Sequence, residues 1–185
     1  MDAKKTTVIL GLAFIFLLVL SYGANVLFFS ILGDVLTPRA LANQFLAVAM
    51  LFTNNVLVIS LILLGMTFYV NLVVLDFFRR EKYAGIVLEH PRTFAIAFTI
   101  MILFLSILRG STLIYGGISI QVLPIIILVS VPVGIVEGYG IYLTIKKTLI
   151  REMTMKSLVS IYGIFLIAAI MEVGFINLLI WVSLR

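Results

Sequence analysis

Long apolar runs separated by short polar stretches make up most of the chain, and the lengths of those runs predict its elements. The first run goes from Val8 to Leu32. Its roughly 25 residues suffice for a helix across a hydrocarbon core of ~30 Å, which needs ~20. They also exceed the ~7–15 residues of a secretory signal's apolar region, so an uncleaved helix is expected in spite of the small residues Ser21 and Gly23. Gly33-Asp34-Val35-Leu36-Thr37-Pro38 follows, with Thr37 placed to cap a helix and Pro38 suited to its first position.

From Ala40 to Leu75 no residue is charged. One helix over about 36 residues would be ~54 Å long, far beyond the apolar thickness of a bilayer. A break is therefore predicted at Thr53-Asn54-Asn55, whose short polar side chains compete for backbone hydrogen bonds. It leaves an apolar interfacial or re-entrant helix over 38–52 and a second span over 55–75. Asp76 to Arg92 is the most charged loop. Beyond it come a third span over 94–113, a turn-rich stretch holding Gly116-Gly117, a fourth span over 123–145 and a fifth over 158–182. The expected fold class is all-α: one integral membrane domain over 1–185, a polytopic transmembrane helix bundle of five spans plus that single interfacial or re-entrant helix.

Composition agrees with this pattern and narrows the function. The chain is 63% hydrophobic and 11% charged, against ~45–50% and ~25% for soluble domains, which excludes a water-soluble globule. A net charge of +5 could suit nucleic acid, but the basic residues fall in separate loops and form no single stripe, so no nucleic-acid partner is expected. Their distribution sets topology instead. Lys4, Lys5, Arg79, Arg80, Lys82, Arg92, Lys146, Lys147, Arg151 and Lys156 fall on one side of the five-span arrangement, and Arg39, Arg109 and Arg185 on the other. The excess places the N-terminus in the cytoplasm and the C-terminus outside the cell membrane.

Enzymatic chemistry finds few candidates. There is no cysteine, and the one histidine, His90, precedes Pro91 in a charged loop, so paired zinc ligands are missing. Phosphate-binding and dinucleotide-binding glycine motifs are absent, and no serine within a span has the flanking glycines or the histidine base of a hydrolase. No catalytic, metal or cofactor site is expected, and no enzyme.

Ionisable groups inside the spans are expensive in hydrocarbon, and each is a functional hypothesis. Glu137, Glu172 and Arg109 are these groups. Counted along the helices, Glu172 and Arg109 share a depth of ~21–22 Å from the cytoplasmic boundary, which predicts an ion pair between them. Glu137 lies about 12 Å deep with no evident cation. It is either protonated and hydrogen-bonded to a neighbouring helix, or it faces a water-filled cavity. Around it, Pro132 is expected to kink the helix, and Gly134 and Gly138 form a small-xxx-small face for close helix approach. Asn54 and Asn55 are expected to hydrogen-bond between helices.

Three of these elements, taken in order, resemble the stage II sporulation protein M family. A first spanning helix is followed by an apolar stretch whose asparagine, Asn54 or Asn55, opens a second span with Gly65 near its middle. Pro132-Val133-Gly134-Ile135-Val136-Glu137 then supplies a Pro-x-Gly-x-x-Glu element, and Ala168-Ala169-Ile170-Met171-Glu172 a small-small-x-x-Glu element. The chain departs from the family at Val133, where the pattern usually carries a histidine. The resemblance implies a non-enzymatic multi-pass membrane protein. Members in spore-forming bacteria work with cell-wall-degrading partners during engulfment, and related proteins occur in organisms that never sporulate, archaea included. Two functions are thus open. One is a membrane scaffold or remodelling component with protein partners in the bilayer, a second copy of itself among the candidates. The other is a transporter or permease subunit in which Glu137 lines a polar pathway.

Overall fold

A computed structural model of the chain describes residues 3–35, 44–75, 86–115 and 123–183. Among the described residues all regular structure is helical: α1 (Ala3–Val35), α2 (Gln44–Val74), α3 (Ile86–Glu89), α4 (Pro91–Tyr115), α5 (Leu123–Leu149) and α6 (Met155–Ser183). Helices satisfy their backbone polar groups internally, which is what apolar segments of this length require in lipid. Three stretches among the described residues are long and apolar enough to cross a membrane, namely Lys4–Gly23, Gln44–Val74 and Met155–Phe175. Pro91–Ile107 is apolar but shorter.

The expected break in the second apolar run does not occur. Helix α2 runs unbroken through Thr53, Asn54 and Asn55, so residues 44–52 belong to it and form no separate interfacial or re-entrant helix. Residues 38–43 lie outside those described. The polar side chains find partners that leave the helical ladder intact. Thr53 Oγ1 donates to the carbonyl of Ala49 one turn back, at 2.8 Å, and Asn55 Nδ2 donates to another helix. With 31 residues, α2 is ~46 Å long and has to tilt or project to fit a ~30 Å core.

Helix α1 packs on α2, and paired glycines and phenylalanines set the register. Phe68 of α2 lies over Gly11 of α1, while Phe14 of α1 lies over Gly65 of α2. As the position on α1 rises the position on α2 falls, so the two are antiparallel. A Cβ on Gly65 would stand 2.9 Å from the Phe14 ring and one on Gly11 would stand 3.1 Å from Phe68, so both positions admit an aromatic face only because the side chain is absent. Helix α2 packs in turn on α5 and α6, and α4 packs on α5.

The antiparallel α5–α6 pair holds most of the core. Ile141, Ile145, Leu149, Ile161 and Phe165 are buried there together with Ile59 and Val70 of α2 and Ala95 of α4. Gly140 lets the Phe165 ring reach the α5 backbone, since a Cβ would come within 2.5 Å of it. The buried Thr144 and Thr148 turn their hydroxyls back onto the carbonyls of Gly140 and Thr144, at 2.8 and 2.7 Å.

The connection between the two helices is closed at both ends. Arg151 N–H bonds to Thr148 O at 3.1 Å and Glu152 N–H to Lys147 O at 2.9 Å, the two bonds of a Schellman motif. The motif puts Arg151 in the left-handed region, at φ 59°. Thr154 then caps α6 by accepting from Ser157 N–H at 3.2 Å.

Candidate functional site

Polar side chains join α2 to α5 and, separately, α2 to α6. Asn55 of α2 donates from Nδ2 to Oε1 of Glu137 on α5 at 3.2 Å, joining residues 82 positions apart. Glu172, the other acid expected within a span, is carried by α6. Both carboxyl-bearing residues are half-buried. Ser60 Oγ and Tyr162 Oη share a second hydrogen bond between α2 and α6, at 3.2 Å. Asn55 faces Glu137 because it is on the side of α2 turned to the hairpin. Asn54, rotated by about 100° around the helix, takes no part in that bond.

Small residues make the junction possible. Ala168 and Ala169 are fully buried on α6 one turn before Glu172, and they let α6 approach its neighbours. On α5, Gly138 receives α4: a Cβ there would stand 2.8 Å from Leu103 Cδ1 and 3.6 Å from Thr99 Cγ2. Gly134 plays no such part among the described residues, since a Cβ on it would meet none of them within 4 Å. The close-approach face expected from Gly134 and Gly138 is therefore formed by Gly138 toward α4 and Gly140 toward α6. Both approached glycines lie in the C-terminal half of α5. Pro132 sits inside α5, and the helix continues on both sides of it.

Sequence reasoning did not single out Thr99, Ser60, Tyr162 or Gly140 for this region. Thr99 is 7% exposed and its Oγ1 has no hydrogen-bond partner, in contrast to Thr144 and Thr148. The Gly138-Tyr139-Gly140 triplet carried a signal for two close approaches, since two glycines one residue apart on a helix face different neighbours.

Among the described residues neither Glu137 nor Glu172 has a cationic partner. The expected Arg109–Glu172 pair falls on a side chain outside those described, and α4, which carries Arg109, packs on α5. Among the described residues no three His, Asp or Glu side chains gather to hold a metal ion. What the three helices offer is one amide-to-carboxyl bond, one hydroxyl pair and a further half-buried carboxyl on α6.

No family model, no curated protein and no solved structure matches the chain. The reading of the site rests on its own chemistry. An amide-to-carboxyl bond between helices contributes to their association, on the order of 0.6–2 kcal/mol in a bilayer.

Proposed function

We propose that the protein is a non-enzymatic, five-span protein of the cell membrane that serves as a scaffold or remodelling component, with partner proteins bound along its spans. The carrying observation is the Asn55–Glu137 bond. The intramembrane acid that most needed explaining is used to fasten α2 to α5, within hydrogen-bond reach of an amide donor. Ser60–Tyr162 fastens α2 to α6 in the same way.

Five long helices, α1, α2, α4, α5 and α6, support the span count. The cation distribution supports a cytoplasmic N-terminus and an outer C-terminus. Resemblance to the stage II sporulation protein M family favours the same reading, and two of the residues that carry it, Asn55 and Glu137, are joined by that bond. Copurification after crosslinking in the native membrane tests the proposal. Defined membrane partners, retained by wild type and lost when Asn55→Ala loosens the junction, are expected; recovery of the chain alone, free of any partner and of itself, would contradict it.

One observation favours a second reading, a transporter or permease subunit. Glu137 and Glu172 are both half-buried, on the paired helices α5 and α6, with no cation among the described residues to balance either. In proteoliposomes this reading predicts flux that Glu137→Gln abolishes. The scaffold reading predicts no flux across a broad panel of ions and small solutes.

A further inference from the structure

The tip of the α5–α6 hairpin gathers four cations against one acid: Lys146, Lys147, Arg151 and Lys156 against Glu152. Among the described residues none of the four is in an ion pair. Lys146 lies over the Tyr142 ring, 5.5 Å from its centroid, and Lys147 Nζ donates to Ser157 Oγ at 2.7 Å. Ser157 Oγ in turn shares a hydrogen bond with Thr154 Oγ1 at 3.0 Å. An ammonium and two hydroxyls are thus held together between the helices, and Arg151 and Lys156 of the same hairpin tip are exposed. Arg151 occupies the left-handed position that glycine would fill without strain, and so the turn keeps a guanidinium where the backbone alone would favour its loss.

Directly beside the cations an apolar strip begins. Met155 is 76% exposed and Val159, one turn on, is 67% exposed. The strip continues up α6 through Ile167 and Ile170, also exposed. A soluble acidic ligand has no use for that strip, whereas a phospholipid matches both parts, its phosphate at the cations and its acyl chains along Met155 and Val159.

We propose that the α5–α6 tip is a binding site for the headgroup of an anionic phospholipid. The proposal rests on α5 and α6 being membrane spans, as the proposed function holds. Clusters of four or more basic residues at the cytoplasmic end of a spanning helix attract anionic lipid. Here hydrogen bonds fix Lys147 and the hydroxyls in place, so the site selects a headgroup over and above the diffuse attraction of a basic loop.

Full-length protein in phosphatidylcholine vesicles, probed with spin-labelled phosphatidylglycerol and spin-labelled phosphatidylcholine, tests it through the motionally restricted fraction of each lipid. Wild type is expected to favour phosphatidylglycerol about fivefold or more. The variant carrying Lys146→Gln, Lys147→Gln, Arg151→Gln and Lys156→Gln is expected to lose the preference. Arg151→Gln with Lys156→Gln alone, which removes only exposed side chains and spares folding, is expected to lose at least half of it. Lys4→Gln with Lys5→Gln is expected to retain most of it. Equal association of the two lipids with wild type would overturn the proposal, as would a preference that survives at the hairpin variants or falls with Lys4 and Lys5. Protection of Lys147 from amine modification by an acidic peptide and not by phosphatidylglycerol would assign the patch to a soluble partner and overturn it too. A nitroxide on Glu152→Cys, in a chain with no other cysteine, locates the tip. A label at the headgroup level upholds the span reading, so that a missing lipid preference counts against the lipid site alone. A label far from the bilayer or deep within it removes the span reading and the proposal with it.

Discussion

Among the described residues α1 buries Thr7 and Ser21 and turns Val8, Leu12, Ile15, Phe16 and Val19 outward, while α5 and α6 bury Ile141, Ile145, Leu149, Ile161 and Phe165. Helix α4 follows α1, with Ala95 and Thr99 inside and Ile96, Ile100, Met101, Phe104 and Leu105 outside. Helix α4 nonetheless lays Phe94, Phe98, Ile102 and Leu103 on the core, since close packing drives helix association even where the surroundings are as apolar as leucine. Helix α1 meets α2 through the fit of an aromatic ring on a glycine, at Gly11–Phe68 and Phe14–Gly65. The central hairpin combines large apolar side chains with the same device, Phe165 on Gly140, and adds helix caps and inter-helix hydrogen bonds. The ring-on-glycine fit is thus common to both regions, and the centre also carries the Asn55–Glu137 and Ser60–Tyr162 bonds.

Substitution at the glycines tests this difference most severely. Gly140→Val is expected to destabilise the protein by about 3 kcal/mol, because the buried Phe165 ring has nowhere to move. Gly134→Leu, in open space, is expected to change stability by less than about 0.5 kcal/mol. Reversible unfolding in mixed micelles measures both, and equal effects would show that α5 is not approached where Gly140 lies. Gly65→Leu comes next: it is expected to cost about 2 kcal/mol, to loosen α1 from α2 and to leave the α5–α6 pair in place. Crosslinking between single cysteines on α1 and α2 reports that loss. A collapse of the whole bundle would mean that the periphery and the centre do not separate as described.

A smaller effect of opposite sign is expected at Thr99. Thr99→Val removes a buried hydroxyl that has no partner and is expected to stabilise the protein by about 1 kcal/mol, read from the same unfolding midpoint. Destabilisation there would show that the hydroxyl has a role that its surroundings do not reveal.

The helices were legible in the sequence because apolar run length is a direct consequence of bilayer thickness. The continuity of α2 was not, since Thr53 and Asn55 interrupt a helix only when nothing better is available to them. Here the Ala49 carbonyl and Glu137 are available, and the latter is supplied by a helix distant in sequence. The same distance explains the junction. Asn55 and Glu137 could each be expected to bond across helices, yet their pairing depends on how α2 crosses α5. Which of Gly134, Gly138 and Gly140 meets a neighbour depends on the same crossing, and a spacing of four residues does not fix it.

The Asn55–Glu137 bond is the claim on which the scaffold reading stands, and a double-mutant cycle tests it most directly. Unfolding of Asn55→Ala, Glu137→Ala and the double variant in a bilayer is expected to give a coupling energy of about 0.6–2 kcal/mol. Strict additivity of the two single substitutions would contradict the account, because Glu137 would then hold α2 to α5 no more firmly than an alanine does.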